Sequence, residues 1–333
     1  MKTVTTKRLL ASARFLAGDW QGRCAPEEVI LEVTTACNLA CPMCARTHLK
    51  KQRPPASLSM VDFHKLLRRL PTSVQRVAMA GLGEPLLNSN LVEMVERLTA
   101  GGFGVVLYTN ATLMTAQISR GLVEAGLAGI VIPVDGATAA TYEKYRKNGR
   151  FDETVANVRG VLAARDQARS ALFVEVQMLD LPGTRGQLAA FKSMWAGSGV
   201  NALRFKPDHM GVGPDSEARR HEQGVCPMPW RGPATVDVEG NVYPCCVQSP
   251  ENQLLGNLLE DSLLDIWNGP KARELRRHFV ETRRKAPTCH GCSIPLPHQW
   301  VSAIGNLVDP FTARKLLARA ERFLPYLSGG RKR

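Results

Sequence analysis

From Val29 to Lys206 two hydrophobic periods alternate along the chain. Short apolar runs rich in β-branched residues occupy Val29–Thr34, Gln75–Ala80, Gly104–Thr109, Gly129–Asp135, Leu172–Leu179 and Ala202–Lys206. Between them lie Met60–Leu70, Leu91–Ala100, Thr115–Ala125, Glu153–Ala168 and Gln187–Ala196, most with apolar residues at three- and four-residue spacing. The first set reads as strands and the second as helices. Strands that alternate with helices pair in parallel through right-handed crossovers. Six strands fall short of an eight-strand barrel, so the expected fold is α/β, a partial (β/α)6 barrel. In such architectures the chemistry sits at the C-terminal ends of the strands.

Beyond Lys206 the pattern changes. Glu239-Gly240-Asn241 is a hairpin signal between Ala234–Val238 and Val242–Tyr243, and a helical stretch runs from Leu258 to Thr282. Two amphipathic helices are expected at the ends, over Lys7 to Leu16 and Phe311 to Leu324, the latter with Leu316, Leu317, Ala320, Phe323 and Leu324 on one side. The formal net charge is +13; residues 1–23 supply +4 of it and residues 309–333 supply +5. Such ends suit a solvated face, a membrane surface or an anionic substrate. Interleaved aromatics of the kind that stack on bases are missing, which disfavours nucleic acid. No apolar run approaches the roughly 18 residues that a spanning helix needs, and the N-terminus lacks a secretory pattern. The nine cysteines therefore read as thiols of a reducing, cytoplasmic compartment, where clustered cysteines mean metal or catalysis.

Cys37, Cys41 and Cys44 form a C-x3-C-x2-C set on the exit of the first strand. Three thiolates so spaced can wrap one face of a [4Fe–4S] cluster, which is normally closed by four cysteines. Three ligands leave one iron open, as catalytic metal sites do. A zinc knuckle is the competing reading, because C-x2-C is common in zinc sites.

The other strand exits also carry polar groups. They are Gly81-Leu82-Gly83-Glu84-Pro85, Tyr108-Thr109-Asn110, Pro133-Val134-Asp135-Gly136 followed by Tyr142 to Arg146, the pair Glu175 and Gln177, and Lys206-Pro207-Asp208-His209. Two glycines beside a carboxylate let backbone approach a ligand closely. Each group taken singly also suits a turn, a cap or a satisfied core position.

Together these motifs resemble the radical S-adenosylmethionine (SAM) superfamily. Two departures stand out: Met43 occupies the usually aromatic position before the third cysteine, and Pro133 replaces the serine of the Ser-x-Asp-Gly segment. The resemblance implies that Cys37, Cys41 and Cys44 bind a [4Fe–4S] cluster whose open iron chelates the amino and carboxylate groups of SAM. An electron from the cluster then breaks the sulfonium C–S bond, giving methionine and a 5′-deoxyadenosyl radical that takes a substrate hydrogen. It further implies SAM contacts at Gly81, Gly83, Glu84, Thr109, Asn110, Asp135 and Gln177, and an electron donor such as flavodoxin or ferredoxin.

Cys226, Cys245, Cys289 and Cys292 form a second set. Four thiols can saturate another [4Fe–4S] cluster or hold one zinc. The spacing C-x13-G-x4-C with a terminal C-x2-C resembles the SPASM/twitch extension of radical SAM enzymes. With no cysteine after Cys292, it is similar to the shorter twitch form, as in radical SAM cyclitol oxidases. The expected organisation is a basic N-terminal helix over residues 1–28, the barrel over 29–210, the auxiliary-cluster domain over 220–300 and a basic helix and tail over 305–333.

After hydrogen abstraction the outcome depends on where the substrate electron goes. In a dehydrogenase the auxiliary [4Fe–4S] cluster takes it, with Lys206, Asp208 and His209 as candidate bases and Arg146 as a cation beside a hydroxyl. In an epimerase Cys246 returns a hydrogen atom. The expectation is oxidation of a small hydroxylated, sugar- or cyclitol-like substrate. Epimerisation and peptide maturation are the alternatives, and a non-catalytic zinc-binding nucleic-acid module is the competing class. Only 28 residues precede the first strand, which argues against a leader-peptide module.

Overall fold

A computed structural model of the chain describes residues 6–48, 53–208, 225–246 and 254–282. Helix α1 (Thr6–Ala17) leads into β1 (Glu28–Leu31), α2 (Met60–Arg69), β2 (Arg76–Met79), α3 (Leu91–Ala100), β3 (Gly104–Tyr108), α4 (Ala116–Glu124) and β4 (Gly129–Pro133). Two helices, α5 (Ala139–Tyr145) and α6 (Phe151–Gln167), lead to β5 (Phe173–Asp180), and α7 (Leu188–Trp195) leads to β6 (Ala202–Pro207). Then come α8 (Met228–Arg231), β7 (Ala234–Val236), β8 (Asn241–Tyr243), β9 (Gly256–Asn257), α9 (Leu263–Trp267) and α10 (Pro270–Thr282).

All six predicted barrel strands form, pairing in parallel in the order β6-β5-β4-β3-β2-β1. The helices begin where short polar side chains can cap them. Ser59 Oγ accepts from Asp62 N at 3.1 Å, and Thr115 Oγ1 accepts from Ile118 N at 3.2 Å. One face of the sheet buries Val77, Met79, Val105, Leu107, Ile130 and Ile132 under helix residues such as Phe63, Met94, Val95 and Val158. The opposite face carries a smaller apolar group of Val106, Val131 and Phe173, with Tyr108 and Ala202 against it. Period-two alternation in strands covered on one side by helices produces this division.

The sheet continues past the barrel. β7 pairs in parallel with β1, Val29 opposite Ala234 and Leu31 opposite Val236, and the antiparallel strands β8 and β9 follow. The expected hairpin around Gly240 is β7–β8.

The predicted helix from Leu258 to Thr282 is instead two helices, α9 and α10. Pro270 cannot continue a helix begun before it, and Asn268 caps α9, its Nδ2 donating back to Leu264 O at 2.7 Å while also reaching out of the helix. Its Nδ2 donates to Cys24 O at 2.9 Å and its Oδ1 accepts from Cys24 N at 2.7 Å. Buried Cys24 is thereby built into the packing. Arg276 on α10 is fully buried, donating from Nε to Pro229 O at 3.0 Å and from Nη1 to Trp20 O and Gly22 O at 3.4 Å, and bonding Trp267 O through Nη2.

Helix α1 docks Phe15 edge-on against Trp230 at 5.5 Å between ring centroids, leaving Leu9 and Leu10 about half exposed. Among the described residues no helix is long and apolar enough to cross a membrane. The expected helix Phe311 to Leu324 lies outside the described residues.

Candidate active site

The loop after β1 carries Cys37, Cys41 and Cys44 into an open cleft of about 180 Å³. Gly81, Gly83 and Glu84 from the exit of β2, Tyr108, Thr109 and Asn110 from β3, Pro133 from β4, Arg146 from the end of α5 and Gln177 from β5 line the same cleft. Leu39, Cys41 and Met43 are buried against Tyr145 and Leu181. Met43 thus fills its site as an apolar plug, for which its flexible thioether is well suited.

Hydrogen bonds stitch the triad loop to its neighbours. A Cβ on Gly83 would lie 2.0 Å from Thr34 O, so only glycine lets the second loop come this near, and Glu84 N donates to Ala36 O at 2.7 Å. Glu84 Oε1 accepts from Thr109 Oγ1 at 2.5 Å and Leu86 N at 3.1 Å, and Oε2 accepts from Asn110 N at 2.7 Å. Asn110 Nδ2 donates to Asn38 Oδ1 at 3.0 Å, within the cysteine loop itself. Burial pushes the Glu84 carboxyl above its ordinary range, opposed by these hydrogen bonds.

The thiols are themselves desolvated. Burial pushes Cys37 and Cys41 up, the Cys44 sulfur adds to both, and Arg146 opposes the shift at Cys41. Three neighbouring thiolates in one mouth need a compensating cation. Sulfur donors of this kind fit an iron–sulfur cluster, whose charge Arg46 and Arg146 in the lining would offset. Arg146 Nε and Nη2 reach Asp135 Oδ2 at 2.7 and 2.5 Å, and Nη1 lies 4.0 Å from Cys41 Sγ. Asp135 is fully buried behind Arg146 and is absent from the cleft lining. Gln177 in the lining donates to Glu175.

The remaining predicted residues lie elsewhere. Lys206 is on β6 opposite Leu179, Asp208 follows that strand, and neither lines the cleft. Cys226 lies two residues before α8 and Cys245 two residues after β8, both half-buried; Cys246 is exposed. His209, Cys289 and Cys292 lie outside the described residues.

Sequence reasoning missed Arg46, Thr47 and Asn38, whose only signal is adjacency to the cysteines. It also missed a buried polar seam between β1 and β7. Arg53 Nη1 donates to Glu32 Oε2 at 2.6 Å and Nη2 lies 3.5 Å from Asp237 Oδ2, which accepts from Tyr243 OH at 3.2 Å. Glu32 Oε1 also accepts from Leu82 N at 2.9 Å, so the seam touches the glycine loop. Burial raises the Glu32 pKa against the pull of Arg53 and raises that of Tyr243 together with Asp237. A charge, Glu32, inside the apolar run Val29–Thr34 is the signal that could have found it.

A family model of the radical SAM superfamily matches residues 31–167, and one of an iron–sulfur cluster-binding domain, SPASM, matches residues 226–293. Mycofactocin maturase MftC of Mycobacterium tuberculosis (strain CDC 1551 / Oshkosh) is 26% identical over 314 residues, covering 82% of this chain and 77% of the relative. Among solved structures, BtrN in complex with AdoMet and 2-DOIA has a TM-score of 0.52 at 20% identity, covering 78% of this chain and 89% of its own. SuiB of Streptococcus suis bound to precursor peptide SuiA has a TM-score of 0.64 at 13% identity, covering 85% and 73%. At these identities the two structures show a shared fold. The chain thus carries a radical SAM domain over residues 31–167 and a SPASM-type domain over residues 226–293, which together make it a radical SAM protein of the SPASM/twitch type and imply a [4Fe–4S] cluster, SAM and auxiliary iron–sulfur binding.

Proposed function

We propose that this protein oxidises its substrate by two electrons, with Cys37, Cys41 and Cys44 holding the SAM-binding cluster and Cys226, Cys245, Cys289 and Cys292 holding a second [4Fe–4S] cluster as electron acceptor. The observation that carries the reading is the placement of β7 directly beside β1. The strand that launches the first cysteine set neighbours the hairpin that leads to Cys245. When bound, the cluster and SAM supply the reducing electron and the hydrogen-abstracting radical.

The chain's own groups do the rest. Gly81, Gly83, Glu84, Thr109, Asn110 and Gln177 shape the cleft for SAM, with Asp135 behind it. Glu84 acts by fixing the Thr109-Asn110 turn, since both its oxygens are already engaged. A substrate radical that gives up an electron also gives up a proton; of the candidate acceptors, Lys206 Nζ and an Asp208 carboxylate oxygen lie at the end of β6 outside the cleft lining, and His209 follows them in the sequence. The cysteine spacing favours a small hydroxylated substrate. A peptide substrate is the second reading, supported by the likeness to a maturase over most of both chains.

The test incubates reconstituted enzyme, dithionite and SAM with separated small-molecule and peptide fractions of the cells that encode it, in deuterated water. Oxidation yields a product two hydrogens lighter, with one 5′-deoxyadenosine per turnover, and Cys246→Ala leaves it intact. A product of unchanged formula carrying one solvent deuterium, lost in Cys246→Ala, would replace oxidation by epimerisation. The fraction that yields product decides between the two substrate classes.

A further inference from the structure

Arg146 is fixed more firmly than a residue waiting for substrate. Its backbone N caps α5 by donating to Tyr142 O at 2.6 Å. Two of its guanidinium nitrogens hold Asp135 Oδ2, and the other oxygen of Asp135 accepts from Leu179 N at 2.7 Å. The Asp135 side chain is 0% exposed and that of Arg146 is 14% exposed. The remaining nitrogen, Nη1, sits 4.0 Å from Cys41 Sγ. The pair is therefore an oriented dipole in a buried setting, its cationic end toward the sulfur and its carboxylate tied back to β5.

We propose that Arg146 raises the reduction potential of the cluster held at Cys37, Cys41 and Cys44, and that Asp135 limits the rise. The proposal rests on the reading that these cysteines bind the cluster. In the step concerned, one electron passes from a donor of the ferredoxin or flavodoxin class; the donor is oxidised by one electron, the cluster is reduced by one, and no bond forms or breaks. The added negative charge spreads over the irons and sulfurs, Cys41 Sγ included. A cation and an N–H directed at that sulfur stabilise the reduced form more than the oxidised one, and net charge and hydrogen bonds to sulfur are the protein's levers on such potentials. In a site this dry the interaction is weakly screened. Asp135 opposes the cation from its far side, so the two residues pull the potential in opposite directions. A purely structural ion pair would affect stability when either partner is lost and would leave the potential alone.

The experiment is a redox titration of the anaerobically reconstituted full chain followed by electron paramagnetic resonance, on wild type, Arg146→Met, Arg146→Lys and Asp135→Asn. Arg146→Met is expected to lower the reduced-to-oxidised ratio about tenfold at a fixed solution potential, which for a one-electron couple is about 59 mV. Arg146→Lys should recover much of that, and Asp135→Asn should shift the potential upward. Shifts of the same sign in Arg146→Met and Asp135→Asn, or no shift in either, overturn the proposal. Should Arg146→Met not retain its cluster, Asp135→Asn decides alone, a potential at or below wild type counting against. The potential read is that of the signal that changes on adding SAM; a wild type in which no [4Fe–4S] signal responds to SAM refutes the reading of Cys37, Cys41 and Cys44 itself, a failure distinguishable from the others.

Discussion

Glu84, in the loop after β2, has both carboxylate oxygens committed to Thr109, Leu86 and Asn110, in a site 3% exposed. Its pKa is raised above the ordinary 4.5, first by burial. A carboxyl raised in the folded state contributes stability that is present below its unfolded pKa and lost as pH rises through the folded one. The stability of wild type minus that of Glu84→Gln should therefore shrink as pH rises upward from 4.5. Urea denaturation of both proteins at pH 5 and pH 8 checks this, and a constant difference would count against it. Gly83 gives a second prediction. Alanine there drives a Cβ into the Thr34 carbonyl, and overpacking of this kind costs about 3 kcal/mol. The expected result is a lower urea midpoint together with weaker SAM binding by calorimetry; a variant as stable as wild type would show that the two loops are not locked together.

At the scale of elements, the barrel strands and most helices were legible because their periods differ and their ends carry caps. Leu91–Ala100 is found as expected, and the other barrel elements agree to within a few residues. The break between α9 and α10 was also written in the chain, at Asn268-Gly269-Pro270, but apolar periodicity continues across it and masks the stop. The parallel seating of β7 on β1 was not legible, because two strands separated by about two hundred residues pair through tertiary context rather than local pattern. Neither was the role of Arg276, an arginine on a polar-looking helix that turns inward to four backbone carbonyls. Removing a charged donor leaves those carbonyls unpaired. By the usual worth of hydrogen bonds to charged groups, Arg276→Ala should destabilise the fold by about 3 kcal/mol. Chemical denaturation tests this, and a loss under about 1 kcal/mol would mean that the carbonyls find other partners.

Across the whole molecule, the continuous sheet unites what the sequence read as two cysteine systems. The cleft of the first system was legible in part: Cys37, Cys41 and Cys44 lie within eight residues and meet Gly81, Gly83, Glu84, Thr109, Asn110 and Gln177, whereas Arg46 and Thr47 carry no signal but adjacency. The polar seam of Glu32, Arg53, Asp237 and Tyr243 was not, because only Glu32, a charge inside an apolar run, stands out before β1, β7 and β8 meet. That seam joins the glycine loop beside the cleft to the hairpin before Cys245, tying the first cysteine loop and Cys245 to one sheet. The proposed enzyme carries two clusters on this sheet and cleaves SAM at the first. The most direct test is iron and sulfide counting after anaerobic reconstitution of wild type and a Cys37→Ala/Cys41→Ala/Cys44→Ala variant, each then given dithionite and SAM. Wild type should hold about eight irons and the variant about four, with 5′-deoxyadenosine from wild type alone. About four irons in wild type with cleavage intact would contradict the second cluster, and zinc without sulfide would contradict the enzyme itself.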